Sequence, residues 1–542
     1  MTKQRFPLYL LAIAVSFAGA VLFARPVFVF ADTTVQSLRP NILFCIADDA
    51  SYAHFGANGC TWVKTPGFDR VAKEGIRFTR AYTPNAKCAP SRSCILTGRN
   101  PWQLEAAANH NPFFPPKFQT YCEALAENGY YVAASGKGWG PGVALDEQEK
   151  KREMTGIKYD KYTYTPLTPK MCPFDFGRNF EEFLKTKPKE KPWCFWLGSK
   201  DPHRGYEYGS GVRNGKKLTD IDHIPQCWFD DPQVRHDLLD YVLEIENFDL
   251  NVVNVINTLE RFGEFDNTII IVTSDNGMPF PCGKGNTYEI ATHMPLAIMW
   301  KNGITQPGRV IDDFVSFIDF APTFLDIAQI SLNQTKMLPV TGQSLRPIFE
   351  SENSGHVVSY RNNIFLGRER TDLGRPHDAG YPIRAIIQDN FMYLYNFEPE
   401  RWPGGNPETG YLDSDNSPTK TLIINARNDE KLHQYWQRNF GFRPQEELYD
   451  LSVDPDCMIN LAEQKTAECQ MLREKLFAEL KRQNDPRMFD QGYLFDEYPH
   501  CDEFRRGLYE RWQTTPNAGI DFQKQLKQQE KEQKNKTYLF SR

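Results

Sequence analysis

Pro40-Asn41-Ile42-Leu43-Phe44-Cys45-Ile46-Ala47-Asp48-Asp49 is the stretch whose reading decides the fold. Six consecutive apolar residues, 42–47, run into two acids. A strand half exposed to water alternates apolar and polar side chains. An unbroken apolar run is instead buried on both faces, as in a parallel sheet covered by helices on either side. The acids then stand at the strand's C-terminal end, the edge at which open α/β sheets bind ligands. The pattern recurs. Residues 130–134 read as a strand ending at Ser135-Gly136-Lys137, and residues 193–197 as one leading to Asp201-Pro202-His203-Arg204. Residues 268–273 read as a third, leading to Ser274-Asp275-Asn276-Gly277. Helical patterns lie between and after them at residues 65–75, 91–96, 121–128, about 233–262 and 317–327. Strand and helix in alternation predict an α/β domain, a mostly parallel sheet flanked by helices, over residues 38–375.

From about residue 381 the texture changes. Residues 383–388 and 391–395, joined by Asp389-Asn390, read as a β-hairpin. A short strand at 446–451 and an amphipathic helix at 467–481 complete a smaller C-terminal α+β subdomain over residues 376–515. A segment rich in Gly, Pro and Asp, 402–417, interrupts it and reads either as a substrate-facing loop or as an irregular insertion. Residues 516–542 form a tail whose stretch 523–536 is almost all Gln, Lys and Glu, and it belongs in solvent.

At the other end, Lys3 and Arg5 precede an apolar run, and Val29-Phe30-Ala31 is a small-residue cleavage pattern. Residues 1–31 therefore read as a secretory signal peptide cut near Ala31 or Ala24, with an uncleaved anchor as the alternative. Cleavage yields an exported protein, periplasmic or secreted, without stable membrane association. The 12 cysteines show no Cys-x-x-Cys and no zinc spacing, and Cys45 and Cys194 inside apolar strands read as buried thiols. A net charge of −6 over 542 residues excludes a general nucleic-acid binder and leaves room for a local basic pocket.

Four oxygen donors follow two of the strands: Asp48, Asp49, Asp275 and Asn276. Carboxylates with an amide suit a hard cation, Ca²⁺ or Mg²⁺, and no histidine cluster accompanies them to favour zinc. Between them lies Lys87-Cys88-Ala89-Pro90-Ser91-Arg92, which contains the run Cys-x-Pro-Ser-Arg.

That run, in order with Pro40-Asn41-Ile42-Leu43, Asp48-Asp49, Gly75-Ile76-Arg77-Phe78, Leu96-Thr97-Gly98-Arg99, Gly136-Lys137, Ser274-Asp275-Asn276-Gly277 and Glu447-Leu448-Tyr449-Asp450, resembles the formylglycine-dependent sulfatases of the alkaline phosphatase superfamily. The match runs from about residue 39 to 461. Two stretches, Asp201-Pro202-His203-Arg204 and Ser274-Asp275-Asn276-Gly277-Met278-Pro279-Phe280-Pro281, are most similar to the heparan N-sulfatase (sulfamidase) branch.

The resemblance implies an alkaline-phosphatase-like fold and a hydrolase that removes sulfate from a sulfated carbohydrate, as an ester or a sulfamate. It implies that a formylglycine-generating enzyme oxidises Cys88, and that the hydrated aldehyde attacks sulfur. Asp48, Asp49, Asp275 and Asn276 would hold the cation together with residue 88. Arg92 would polarise the nucleophile, Lys137 and Lys284 would neutralise sulfate oxygens, and His203 would bind sulfate and protonate the leaving atom.

The pattern breaks at one point. Many such enzymes carry a histidine two residues after the lysine, where this chain has Trp139, and indole accepts no proton. His54 and His110 are the candidates to replace it, and Trp139 is either a wall for a sugar ring or a core residue. Two other readings stand beside the sulfatase. A phosphatase or phosphodiesterase of the same superfamily would carry Ser or Thr at position 88 and more histidines. A catalytically silent carbohydrate-binding relative would explain Trp139.

Overall fold

The computed structural model describes residues 39–514. The proposed signal peptide and the charged tail lie outside the described residues. Eight strands form the main sheet: β1 (Asn41–Ala47), β2 (Ile76–Phe78), β3 (Tyr131–Gly136), β4 (Ile157–Lys158), β5 (Trp193–Gly198), β6 (Thr268–Ser274), β7 (Leu296–Met299) and β8 (Arg309–Ile311). They lie in the order β8-β2-β7-β6-β1-β5-β3-β4. All neighbouring pairs are parallel except those of β7, which runs antiparallel to β6 and β2.

β1 is central, and its side chains divide between two cores. Leu43, Cys45 and Ala47 pack with Leu238, Val242, Ile245 and Val252 on one face. Ile42, Phe44 and Ile46 pack with Leu96, Leu125, Phe320 and Phe324 on the other. Both faces being covered is the reason the strand carries no polar residue between Ile42 and Ala47.

Helix α1 (Pro66–Glu74) ends at Gly75, where a Cβ would stand 2.1 Å from the Ile298 carbonyl oxygen, so the chain can pass β7 only without a side chain. Helix α2 (Cys88–Thr97) starts three residues earlier than the helix expected from 91. Pro90 lies in its first turn, where a missing N–H costs nothing, so proline does not delay the start. The long helix α3 (Pro232–Arg261) is capped by Asp231, whose side chain accepts from the Gln233 N–H.

The second sheet is antiparallel: β9 (Asn363–Arg368), β10 (Ile383–Gln388), β11 (Phe391–Asn396) and β12 (Glu446–Asp450), in that order. Asp389 takes φ 53° in the hairpin turn between β10 and β11. Helix α4 (Pro418–Asn425) follows the Gly/Pro/Asp-rich segment. Helix α5 (Thr466–Arg482) lays Leu472, Leu476 and Leu480 on Ile386, Tyr393 and Leu448. The sheet's first strand begins at Asn363, before the division expected at 375/376. Residues 39–514 belong to one compact unit. Every one of the 12 cysteines is free, and among the described residues no helix is long and apolar enough to cross a membrane.

Candidate active site

Strand register brings the chemistry together. Ala47 pairs with Ser274, Ile46 with Gly198, and Gly198 with Gly136. Four parallel strands thus end at one level, and Asp48, Asp275, Lys137 and the loop of His203 all emerge there. Gly198 lets two of them meet: a Cβ at this residue would lie 1.7 Å from the Lys137 carbonyl oxygen, and the Lys137 N–H donates to the Gly198 carbonyl at 2.7 Å.

Cys88 occupies the first position of α2, 1% exposed. Its Sγ lies 3.4 Å from Asp48 Oδ1 and 3.8 Å from Asp49 Oδ1. Burial, reinforced by the Asp48 charge, pushes the thiol far above its ordinary range. As a thiol, this sulfur is a poor nucleophile at neutral pH.

Each acid has a cation. Lys137 Nζ donates to Asp48 Oδ2 at 2.6 Å, and Lys284 Nζ to Asp49 Oδ2 at 2.7 Å. Arg92 Nε donates to Asp275 Oδ2 at 2.8 Å. Burial alone would raise the Asp48 carboxyl, but Lys137, His203, Arg92 and Lys284 together hold it well below the usual carboxylate range. Asp275 is pushed up to about 6 by burial, against the pull of Arg92. Asp49 sits at φ 80°, and its N–H reaches Asp275 Oδ1 at 3.1 Å. A left-handed non-glycine residue costs on the order of 1–3 kcal/mol, and it persists here because both neighbours are locked in the sheet edge.

The His203 Nδ1 lies 2.6 Å from the Arg204 carbonyl oxygen. A carbonyl only accepts, so Nδ1 carries a proton and Nε2 is the ring nitrogen left to face the site. Nε2 faces Asp49 Oδ2 at 3.9 Å. Arg204 fixes this loop, donating to both Asp237 oxygens at 2.6 and 2.9 Å and to the Pro279 carbonyl at 2.7 Å.

The carboxylates of Asp48, Asp49 and Asp275 offer oxygens that lie within 4.8 Å of one another. Asn276 donates from Nδ2 to Asp49 Oδ1 at 2.7 Å, while its Oδ1 is buried without a partner. Three carboxylate oxygens and one orphaned amide oxygen form a donor set that fits a hard divalent cation.

All the residues expected from the sequence meet at this edge: Asp48, Asp49, Cys88, Arg92, Lys137, His203, Asp275, Asn276 and Lys284. The two replacement histidines do not join them. His54 stacks edge-on against Trp62 and Tyr241, and burial, with His223 adding to it, lowers it to about 4. His110 pairs with Asp372 at 3.4 Å, and burial outweighs that carboxylate and lowers it to about 4. Neither ring bonds Cys88, Asp48 or Asp49. Trp139 donates from Nε1 to Ser93 Oγ at 2.9 Å and packs edge-on against Phe114, 5.2 Å between centroids. It is a packing residue beneath α2.

Three residues at the site escaped the sequence reading. Lys87, buried beside Cys88, pairs with Asp372 at 2.7 Å. Asp415 lies 3.5 Å from Lys284 Nζ. A lone lysine and two unremarkable aspartates carry no spacing signal. The only hint was the composition of segment 402–417, which contains Asp415.

The sulfatase family matches residues 40–330, over half of the chain. The chain is 27% identical over 459 residues to an ulvan-active sulfatase of Formosa agariphila, covering 83% of this chain and 81% of that one. It is 26% identical over 521 residues to the human N-sulphoglucosamine sulphohydrolase, covering 87% and 96%. Its fold is similar to that of a structure solved in complex with its substrate D-glucosamine-2-N,6-O-disulfate, with a TM-score of 0.57 at 21% identity, covering 82% and 98%. With its mostly parallel sheet and its cysteine at the sheet's C-terminal edge, the chain belongs to the sulfatase family.

Proposed function

We propose that the protein is an exported hydrolase that removes sulfate from a sulfated carbohydrate, with N-sulfated glucosamine as the leading substrate class. The observation that carries this reading is the position of Cys88. It stands at the start of a helix, against two carboxylates, inside a ring of Arg92, Lys137, Lys284 and His203. Three carboxylates face three permanent cations, so a bound dication leaves the pocket net positive, as an anionic sulfate requires. The match to the human N-sulphoglucosamine sulphohydrolase over 96% of its length supports the N-sulfate class. The ulvan-active relative favours O-sulfate on an algal polysaccharide as the second reading. The basic and then apolar segment within residues 1–31 supports export.

Asp48, Asp49, Asp275 and Asn276 would hold the cation, Ca²⁺ first and Mg²⁺ second. When bound, it supplies charge for the nucleophile and for one sulfate oxygen. Conversion of Cys88 to formylglycine replaces a raised thiol with an aldehyde hydrate, a competent oxygen nucleophile. Cys88 is buried, so the modifying enzyme meets it before the chain closes. Lys137 and Lys284 bind sulfate oxygens, each giving up part of its contact with Asp48 or Asp49. Arg92 orients residue 88 and holds Asp275. His203 donates its Nε2 proton to the leaving oxygen or nitrogen, which keeps the departing sugar from leaving as an anion.

Purified protein from its native host, given a panel of N- and O-sulfated glycans, tests the reading. Sulfate release that disappears in Cys88→Ala, with the fold intact, is the expected result. A Cys88→Ala variant with full activity overturns it, as does a Cys88 peptide that carries only thiol in an active enzyme.

A further inference from the structure

Asp415 is held in place and ion-paired with Lys284, but its Oδ2 has no hydrogen-bond donor. Its neighbours are pinned on both sides. Asp413 is clamped by Arg368 and Arg375 and accepts the Asp372 N–H at 2.9 Å. Buried Lys420 donates to the Ser414 carbonyl at 2.8 Å and to Asn416 Oδ1 at 3.2 Å. The preceding residue on α4's first turn, Thr419, donates to Asp237 Oδ2 at 2.6 Å, the carboxylate that also binds Arg204. Segment 402–417 is thereby tied to the loop of His203. Yet the Asp415 carboxylate accepts no hydrogen bond. Oδ2 is buried without a hydrogen-bond partner, its nearest cation being Lys284 Nζ at 3.5 Å, and the side chain stays 27% exposed.

A carboxylate oxygen without a donor remains an open acceptor for an O–H or N–H of a ligand. Lys284 balances its charge across 3.5 Å but does not hydrogen-bond Oδ2. Lys284 already has Asp49 at 2.7 Å, and Lys87 already has Asp372 at 2.7 Å. A carboxylate beside a sulfate pocket repels sulfate itself. What it accepts is a neutral or positive donor attached to the sulfate-bearing molecule.

We propose that Asp415 is a specificity-determining residue, accepting a hydroxyl or amine N–H on the sugar carbon next to the sulfated one. This rests on the carbohydrate reading above. A site built around one such acceptor discriminates against substrates without the donor far more than a packing pocket does.

The test compares Asp415→Asn and Asp415→Ala with wild type on two substrates: the sulfated glucosamine the wild type turns over best, and a small aryl sulfate without ring hydroxyls. A second readout is inhibition by free glucosamine, set against inhibition by inorganic sulfate. The expected result is a kcat/KM loss on the sugar at least tenfold greater than on the aryl sulfate, together with weaker inhibition by glucosamine but not by sulfate. Equal losses on both substrates, or glucosamine and sulfate inhibition moving together, overturn the inference and leave Asp415 as a positioning residue for Lys284. The parent reading fails separately: a wild type that hydrolyses the aryl sulfate and no sulfated sugar refutes the carbohydrate assignment, whatever the variants do.

Discussion

Arg92 and Asp275 are joined inside the sheet edge, Nε to Oδ2 at 2.8 Å, and the same guanidinium donates from Nη1 to the carbonyls of Lys137 and Gly138 at 3.1 and 2.7 Å. One side chain of α2 therefore ties the ends of two strands, β6 and β3, to the helix that begins at Cys88. Lysine cannot reproduce this, because an ammonium is a single point where guanidinium is a rigid fork. Arg92→Lys should lower Tm, and Arg92→Ala should lower it further, since breaking a buried pair costs roughly 3–5 kcal/mol by leaving the partner charge alone. Chemical denaturation of the unmodified thiol form separates this from any effect on Cys88 conversion. Equal midpoints for all three proteins would mean that the pair does not hold the strand ends.

Lys284 lies between two acids, Asp49 and Asp415, and is buried. Removing a cation aimed at developing charge costs about 10²–10³-fold in rate in comparable sites. Lys284→Ala should therefore lose on the order of 10²-fold or more in kcat/KM for sulfate release. It should also weaken competitive inhibition by inorganic sulfate. Loss of rate with unchanged sulfate inhibition would mean that Lys284 only organises Asp49.

The cation reading makes a stability prediction. A ligand that binds only the folded state adds about 2.7 kcal/mol at a concentration a hundred times its Kd. Chelation should lower Tm, and Ca²⁺ should restore it more fully than Mg²⁺, since three carboxylates and an amide suit the larger ion without strict octahedral geometry. In Asn276→Ala the Ca²⁺-dependent shift should shrink, and in Asp49→Ala it should vanish. A shift of equal size in Asp49→Ala would place the cation elsewhere.

Glu244 on α3 supplies a pH prediction. It is buried, its Oε2 has no hydrogen-bond partner, and burial together with Asp201 pushes it up to about 10. Its folded value lies above its unfolded one, about 4.3. Between those values the native state binds the proton and the unfolded chain does not, so this group lowers stability as pH rises from about 4.3 toward 10. Glu244→Gln carries no such titration. Its Tm should match wild type near pH 4 and exceed it increasingly at pH 7 and 9. Parallel melting curves across that range would contradict a protonated Glu244.

The site was legible in the sequence where chemistry follows a long apolar strand. Asp48, Lys137, His203 and Asp275 all stand within a few residues of a run that only a two-sided buried strand explains. The antiparallel β7 and the short β2, β4 and β8 were not legible, because two to four residues are too few to show a period. Lys87, Asp372 and Asp415 were hidden for another reason. Asp372 and Asp415 reach the site through tertiary packing of loops, and nothing local distinguishes a loop aspartate that faces a lysine from one that faces water. Lys87 adjoins Cys88, but a lone lysine there carries no signal of its partner. The start of α2 was misplaced because Pro90 reads as a helix boundary, although a first-turn proline is well tolerated.

Trp139 and Ser93 give the last prediction. The indole occupies the place where many sulfatases carry histidine, yet it is tied to Ser93 Oγ at 2.9 Å and packed on Phe114 beneath α2. Backbone freedom there is small, because the Lys137 carbonyl accepts from both Arg92 Nη1 at 3.1 Å and Trp196 Nε1 at 3.0 Å. An imidazole at 139 fills less volume and leaves a gap beside Phe114. Trp139→His should therefore lower Tm, by the few kcal/mol typical of aromatic truncation in a partly buried site (~2–4). It should give no gain in kcat, and no new ionisation in the pH–rate profile. Trp139→Phe, which keeps most of the packing and loses only the bond to Ser93, should retain more stability than Trp139→His with similar kcat. A rise in kcat for Trp139→His with a new ionisation near pH 6–7 would show that position 139 does face the nucleophile, and that the wild-type indole excludes a base the chemistry can use.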